Sequence, residues 1–430
     1  MSAPQVLADA LRDAPGAATR VGLSGGLDST VLLHALAANP AARDRGLRAL
    51  HVHHGLHPDA DAWAAHCLAA CARLGVPLDV VRVEVRPDGA GPEAAARAAR
   101  HAAYAQALGD DEVMALAHHR DDQAETFLLR ALRGSGPEGL AAMPAWRACG
   151  RGRLWRPLLA VPRSVLREYA RLHALAWIED PSNADVSLDR NFLRARVLPL
   201  MRERWQEADA ALARCSALSA EATALLAPGD AEGLAHATTD DPAVLSRPAL
   251  ALLSRERRAR VLRQWVASLG LPALPAGGIA RIETELLPAA ADANATYAWH
   301  GAEVRAWRDG LHAGRPVAPL PPGWTALWDG RAALALPGGG ALRLDPASGF
   351  DDTLVVRARA GGERITLPGR GHSHALKHVL QDFGVPPWLR LAMPLLVDGD
   401  GAVLAAGDRV RSAAFDAWLR VRGARVAWSP

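Results

Sequence analysis

The chain is short of lysine. Lys377 is the sole lysine among 49 basic residues, so its positive charge is arginine almost throughout. Coding bias accounts for much of this, as for the abundant alanine, yet the consequence is chemical: phosphate contacts here are made by planar guanidinium forks. Cysteine is also scarce. Cys67, Cys71, Cys149 and Cys215 in 430 residues supply no disulfide framework, and the Cys67/Cys71 spacing is neither C-x-x-C nor a zinc knuckle. Reduced thiols predict a cytoplasmic setting. No apolar run approaches the roughly 20 residues that span a bilayer. The first ten residues lack a basic stretch followed by an apolar core, so neither a signal peptide nor a membrane partner is expected. A large charge excess is missing too, and a formal net charge of +3 argues only weakly for a nucleic-acid partner.

What the chain does have is alternation. Apolar runs at 19–23, 47–53, 78–85 and 112–117 read as strands, with helices between them at 29–38, 59–74 and 91–108. Strands alternating with helices predict a parallel, doubly wound sheet whose ligands sit at the strand C-terminal ends. Residues 163–215 read as largely helical, and an alanine-rich helical region follows to about 285. Segments 229–241 and 316–322 read as linkers. From Trp324 the texture changes to short strands and glycine turns, with a helix at 374–383. The expectation is an α/β catalytic domain over 1–215, a helical domain over 216–322 and a small mixed α+β domain over 323–430.

The stretch that organises the chain is Ser24-Gly25-Gly26-Leu27-Asp28-Ser29, directly after the first strand and opening a helix. A Gly-Gly turn points backbone N–H groups inward as an anion nest, and the helix behind it adds the positive end of its dipole. Ser24 and Ser29 offer hydroxyl donors. Asp28 is a carboxylate among expected phosphates, which makes sense mainly if a divalent cation bridges them. The Gly-Lys-Ser/Thr ending of a Walker A loop is absent. The pattern resembles instead the pyrophosphate loop of enzymes that cut ATP to AMP and pyrophosphate.

A second constellation, His118-His119-Arg120-Asp121-Asp122-Gln123-Ala124-Glu125-Thr126, follows the fourth strand. Asp122 and Glu125 stand three apart at a helix start and share a face, where they could bind metal, clamp a cationic substrate, or simply cap the helix. Adjacent histidines point to opposite faces, which argues against both ligating one ion. Arg133-Gly134-Ser135-Gly136 is a glycine turn carrying an arginine. Residues 179–194 pack acids, amides and arginines closely, and Arg190 and Arg194 share a helical face.

With these motifs in this order, the chain resembles the tRNA(Ile)-lysidine synthetase family. Further matching pieces are His51-Val52-His53-His54-Gly55-Leu56, Ala96-Arg97-Ala98-Ala99-Arg100, and, near the C-terminus, Gly361-Gly362-Glu363-Arg364, Leu376-Lys377 and Pro386-Pro387-Trp388-Leu389-Arg390. Two positions depart from the pattern: His53 stands where many members have asparagine, and His101 where tyrosine is common. The resemblance implies a carbon–nitrogen ligase that adenylates the wobble cytidine of tRNA(Ile) bearing a CAU anticodon. Free lysine then joins C2 and AMP leaves. It implies ATP and Mg²⁺ as cofactors, with Ser24 through Ser29 on the phosphates and Asp28 on the metal. Arg97 lies by the reacting base, Asp122 and Glu125 hold lysine, and His118, Arg133, Asn191 and Arg194 line the cleft. Arg364, Lys377 and Arg390 meet tRNA. A tRNA thiolase of the same fold is the alternative, with Cys149 as its candidate sulfur carrier. Oligomeric state is left open between monomer and homodimer.

Overall fold

The computed structural model describes residues 1–85, 92–291 and 293–429; Gly91, expected to open a helix, lies outside them. Two compact units emerge, Met1–Pro228 and Gly229–Pro430.

In the first unit the chain runs α1 (Ala3–Ala10), β1 (Thr19–Gly22), α2 (Leu27–Ala37), α3 (Pro40–Asp44), β2 (Arg48–His53), α4 (Ala60–Leu74), β3 (Leu78–Arg82), α5 (Pro92–Ala107), β4 (Val113–Ala115), α6 (Arg120–Leu132), α7 (Pro137–Leu140), β5 (Trp146–Cys149), β6 (Gly152–Trp155) and α8 (Arg163–Leu172). The sheet order is β3-β2-β1-β4-β6-β5, and only β5 runs antiparallel. Alternation along the strands feeds two cores. Val21, Ala49, Val113 and Ala115 pack with α1, α2, α4 and α8. Leu50, Val52, Met114, Leu116 and Leu154 pack with Ala103, Tyr104 and Leu108 of α5. Helices therefore cover both faces, as the alternating pattern predicted. The β5–β6 hairpin was not legible, because four-residue strands give too few alternations to see. It adds two strands beside β4 and places residues 146–156 next to the second constellation.

Three expectations need correction. Residues 229–241 are no linker at first: one helix, Ala208–Ala237, continues through Pro228, and Asp230 pairs with Arg260 at 2.8 Å beyond it. Proline removes one donor but does not end a helix whose later turns are held by packing, here Leu234 and Ala237 in an apolar core. The expected boundary at 215/216 falls inside that helix. By length and composition the same helix could cross a bilayer; its apolar character is dispersed among alanines and interrupted by Arg214, Glu221 and Asp230, so no contiguous run announced it.

The second unit holds two separate apolar cores. In the first, Trp265 and the helix Arg255–Ser268 pack on an antiparallel sheet of β7 (Val244–Ser246), β10 (Gly310–Gly314), β9 (Ala302–Trp307) and β8 (Thr296–Trp299), in that order. The segment expected to be helical thus carries four strands as well. The second core, from Leu320 to Trp428, joins a five-stranded and a three-stranded antiparallel sheet to the helices Leu376–Asp382 and Ala413–Arg422.

Candidate active site

The loop after β1 is built by its own side chains. Ser29 Oγ accepts from Ser24 N at 3.2 Å, lies 3.0 Å from Ser24 Oγ, and donates to the Gly26 carbonyl at 3.1 Å. Gly26 caps α2 with no side chain, so the first N–H groups of that helix have no side-chain acceptor. Gly25 sits at φ +83, where L-residues are strained, and a Cβ there would lie 2.7 Å from Ile178 Cδ1 and 3.1 Å from Cys67 Sγ. Ile178, remote in sequence, closes the turn by donating its N–H to the Gly25 carbonyl at 2.9 Å. Gly25→Ala is therefore expected to weaken ATP binding at least about tenfold, with the backbone conformation as the cause. Calorimetric titration with a non-hydrolysable ATP analogue measures it, and unchanged affinity would show that the turn relaxes.

Asp28 projects from the first turn of α2, with Arg163 Nε donating to Oδ1 at 3.4 Å and His119 Nε2 3.6 Å from Oδ2. Burial opposes its ionisation, but His119 and then Arg163 outweigh burial and hold the carboxyl below its usual range. An ionised carboxylate beside an anion nest is the donor set that Mg²⁺ uses when phosphates supply its other ligands. Asp28 fits that ion. Among the described residues no cluster of three or more His, Cys, Asp or Glu could hold a metal without them.

His119 is the hinge between the motifs. As N-cap of α6 it accepts from Asp122 N at 3.4 Å through Nδ1, while its own N–H donates to Asp122 Oδ2 at 2.9 Å. The remaining nitrogen, Nε2, lies 3.6 Å from Asp28 and 3.4 Å from Asp122. The ring is 2% exposed. Burial disfavours its imidazolium, but Asp28, Asp122 and Asp121 outweigh that and raise its pKa. His118 turns elsewhere, its Nδ1 accepting from Arg156 Nε at 3.3 Å. Burial, with Arg156, Arg190 and Arg97 nearby, pushes it down to about 3 against the pull of Asp122. The two imidazoles hydrogen-bond to different groups, although both lie in the field of Asp122.

Asp122 and Glu125 meet Arg190 and Arg194. Glu125, 1% exposed, accepts from Arg190 Nε at 2.7 Å and from Arg194 Nε and Nη2 at 2.6 and 2.9 Å. Asp122 uses one oxygen as the helix cap and the other for Arg190 Nη2 at 2.7 Å. Burial would raise its pKa, but His119 and Arg190 bring it down to about 2. Arg190 lies in the turn Asp189–Phe192 and Arg194 in a π-helical turn, Leu193–Val197, a distortion that recurs at functional sites.

The remaining predicted residues scatter. Arg97 stands on α5 and adds its field at His118. Arg133 is exposed and reaches Asp189 at 3.4 Å. Asn191 donates to the Ser182 and Asp185 carbonyls at 3.0 and 2.9 Å and so staples the turn before it. In the second unit, Arg364 binds Ser373 and Arg390 donates to the Val385 carbonyl at 2.8 Å, whereas Lys377 lies exposed. His53, at a departing position, contacts Asp61 at 3.1 Å, and His101 faces Arg147 at 3.4 Å. Sequence reading missed Arg156, Arg163 and the bridging of His119. A lone arginine among 48 carries no signal, and the bridge joins residues some 90 positions apart.

Comparison with known proteins matches three stretches of the chain. Residues 3–201 match the model of the PP-loop domain, 245–312 that of the TilS substrate binding domain and 354–428 that of the TilS substrate C-terminal domain. A tRNA(Ile)-lysidine synthase from Xanthomonas axonopodis pv. citri is 57% identical over 94% of this chain and 92% of its own. Those from Xylella fastidiosa strain 9a5c and Methylococcus capsulatus are 51% and 40% identical, over 96% and 97% of this chain and 95% and 97% of theirs. The pyrophosphate loop, the acid pair joined to it through His119, and identity along nearly the whole length lead to one conclusion: the chain belongs to the tRNA(Ile)-lysidine synthase family.

Proposed function

We propose that this chain ligates free lysine to C2 of the wobble cytidine in tRNA(Ile) with a CAU anticodon, at the expense of ATP cut to AMP and pyrophosphate. The observation that carries the reading is His119, whose Nε2 lies within 3.6 Å of both Asp28 and Asp122. One imidazole thus joins the phosphate loop to the acid pair, which supports a single cleft for ATP cleavage and for a cationic nucleophile.

In the first step the base O2 attacks the α-phosphorus, and negative charge grows on the departing pyrophosphate. The loop N–H groups and the α2 N-terminus face that charge. Asp28 would hold Mg²⁺, which when bound would supply Lewis-acid stabilisation of the phosphates. In the second step the lysine ε-amine attacks C2 and AMP leaves. Free lysine carries an ammonium near neutral pH. Asp122 and Glu125 bind it in competition with Arg190 and Arg194. A carboxylate contact alone favours the ammonium form, so one of the two carboxylates, Asp122 or Glu125, also takes up its proton before the amine attacks. Arg97 stands by the reacting base. His118, Arg133, Asn191 and Arg194 shape the cleft, directly or by holding its turns. The unit carrying the pyrophosphate loop acts as the catalytic domain, and the later segments bind tRNA, with Arg364, Lys377 and Arg390 of residues 323–430 meeting the RNA. The target base leaves the anticodon stack to reach the cleft. The setting is the cytoplasm.

Incubation with ATP, labelled lysine and tRNA(Ile) bearing CAU tests this directly. Lysine-dependent label in RNA with AMP as co-product supports it; ADP, or no label, rejects it. The thiolase reading is not favoured. Burial raises the Cys149 thiol above its usual range and Cys67 up to about 12, the reverse of what a sulfur carrier needs. Cys149→Ser is expected to keep activity within about twofold of wild type, because a hydroxyl of similar size replaces a thiol without assigned chemistry. Its loss would revive the thiolase.

A further inference from the structure

Beside the acid–guanidinium quartet, the first unit carries a second group of arginines around His101 and His118. Arg156, just after β6, is only 4% exposed; its Nη1 donates to the Pro144 carbonyl at 2.7 Å and its Nε to His118 at 3.3 Å. Arg147, on β5, faces His101 Nδ1 at 3.4 Å, and Arg100 comes from α5. None of these three arginines forms an ion pair with a carboxylate among the described residues, whereas Arg190, Arg194, Arg20 and Arg202 all do. The imidazoles between them add no counter-charge. Burial first, and then Arg147, Arg97, Arg100 and Arg156, push His101 down to about 4. Burial, then Arg147, Arg97 and Arg130, lower Arg156 itself to about 10.

A buried guanidinium with cationic neighbours and no counter-ion is unfavourable in the folded protein. It becomes favourable when an anion arrives, because the donors are already oriented and dehydrated. The anion is not the triphosphate of the loop. Strands β6 and β5 stand second and third from β1, roughly 10–15 Å away at the usual strand spacing. The loop amides and the α2 N-terminus already provide for those phosphates. The cluster opens instead at the strand C-terminal edge, with Arg147 exposed on the outermost strand.

We propose that Arg100, Arg147 and Arg156 form a second anion site that seats a phosphodiester of the RNA strand next to the base drawn into the cleft. The inference rests on RNA being the substrate, as read above. The site makes the RNA backbone, rather than base contacts alone, set the depth to which the cytidine enters.

Steady-state ligation with full-length Arg147→Ala and Arg100→Ala tests it, since neither side chain sits in an apolar core. Each variant is expected to raise the KM for tRNA about tenfold, the loss of one charge-assisted phosphate contact. The KM for ATP stays put, and the slope of log affinity against log salt flattens by about 0.7. An anticodon stem-loop with a single methylphosphonate beside the wobble nucleotide is expected to bind wild type about tenfold more weakly. The same substitution adds nothing in Arg147→Ala. Unchanged tRNA KM and salt slope would overturn the site. So would a raised ATP KM, which assigns the cluster to the nucleotide. If wild type puts no lysine into RNA, the functional reading fails instead, so the two failures are distinguishable.

Discussion

Asp28→Asn is expected to slow AMP release by roughly two to three orders of magnitude, the loss that follows removal of one group stabilising developing charge. The side chain keeps its volume, and Oδ1 can still accept from Arg163, so the fold has little reason to change. What disappears is the negative charge. Arg163 and His119 then lie beside a neutral amide, and a divalent ion on the phosphates loses its protein ligand. The measurement is pyrophosphate and AMP release with tRNA, lysine and varied Mg²⁺. The variant is expected to require higher Mg²⁺ and to stay slow at saturation. A wild-type rate at ordinary Mg²⁺ would sink the role given to Asp28.

Glu125→Gln has the second-largest expected effect, and it has two parts. Glu125 is almost fully buried and takes three donors from two guanidiniums. Removing its charge leaves Arg190 and Arg194 sharing Asp122, which also caps α6. Breaking a buried ion pair from one side costs on the order of 3 kcal/mol. Chemical denaturation is expected to show this as a lowered midpoint. The functional part is separate: with one carboxylate fewer for an incoming ammonium, the KM for lysine is expected to rise at least about tenfold, measured well below the unfolding transition. Lower stability with unchanged lysine KM would leave Glu125 as a structural anchor for the two arginines and withdraw it from lysine binding. Arg190→Gln provides the control, since it relieves competition for Asp122 while keeping both acids in place.

The π-helical turn at Leu193–Val197 gives these predictions a common setting. It lets Arg190 and Arg194 approach one pair of acids from the same side although they lie in differently wound turns. On the proposed reading, lysine must share those acids or displace a guanidinium.

Some of this was legible from residues alone, for definite reasons. Ser24 through Ser29 could be read because its groups are contiguous: turn, nest and helix start occupy six positions. The parallel sheet could be read because each long strand alternates between two apolar faces. The pairing of Arg190 with Arg194 could be read because helical spacing fixes it locally. Gln123 shows where local reading stops. It exchanges two hydrogen bonds with the Met143 backbone at 2.9 Å and so ties α6 to the chain leading into β5, a contact no spacing announces.

What the tertiary structure decided is which distant groups share a charge environment. Asp28 meets Arg163, 135 positions on, and His119 rather than His118 faces it. Asp122 proves to be cap and ion-pair partner at once, which sequence could pose only as alternatives. Arg364 and Arg390 turned toward nearby backbone, while Arg100, Arg147 and Arg156 came from a helix, a strand and the residue after another strand, without an ion pair among the described residues. The sequence alone determined the reagents: a phosphate nest, a pair of acids and an excess of guanidinium. Their pairing depended on strand order and on burial. Coulomb energies depend on distance and dielectric through space, and neither is written in the spacing along the chain.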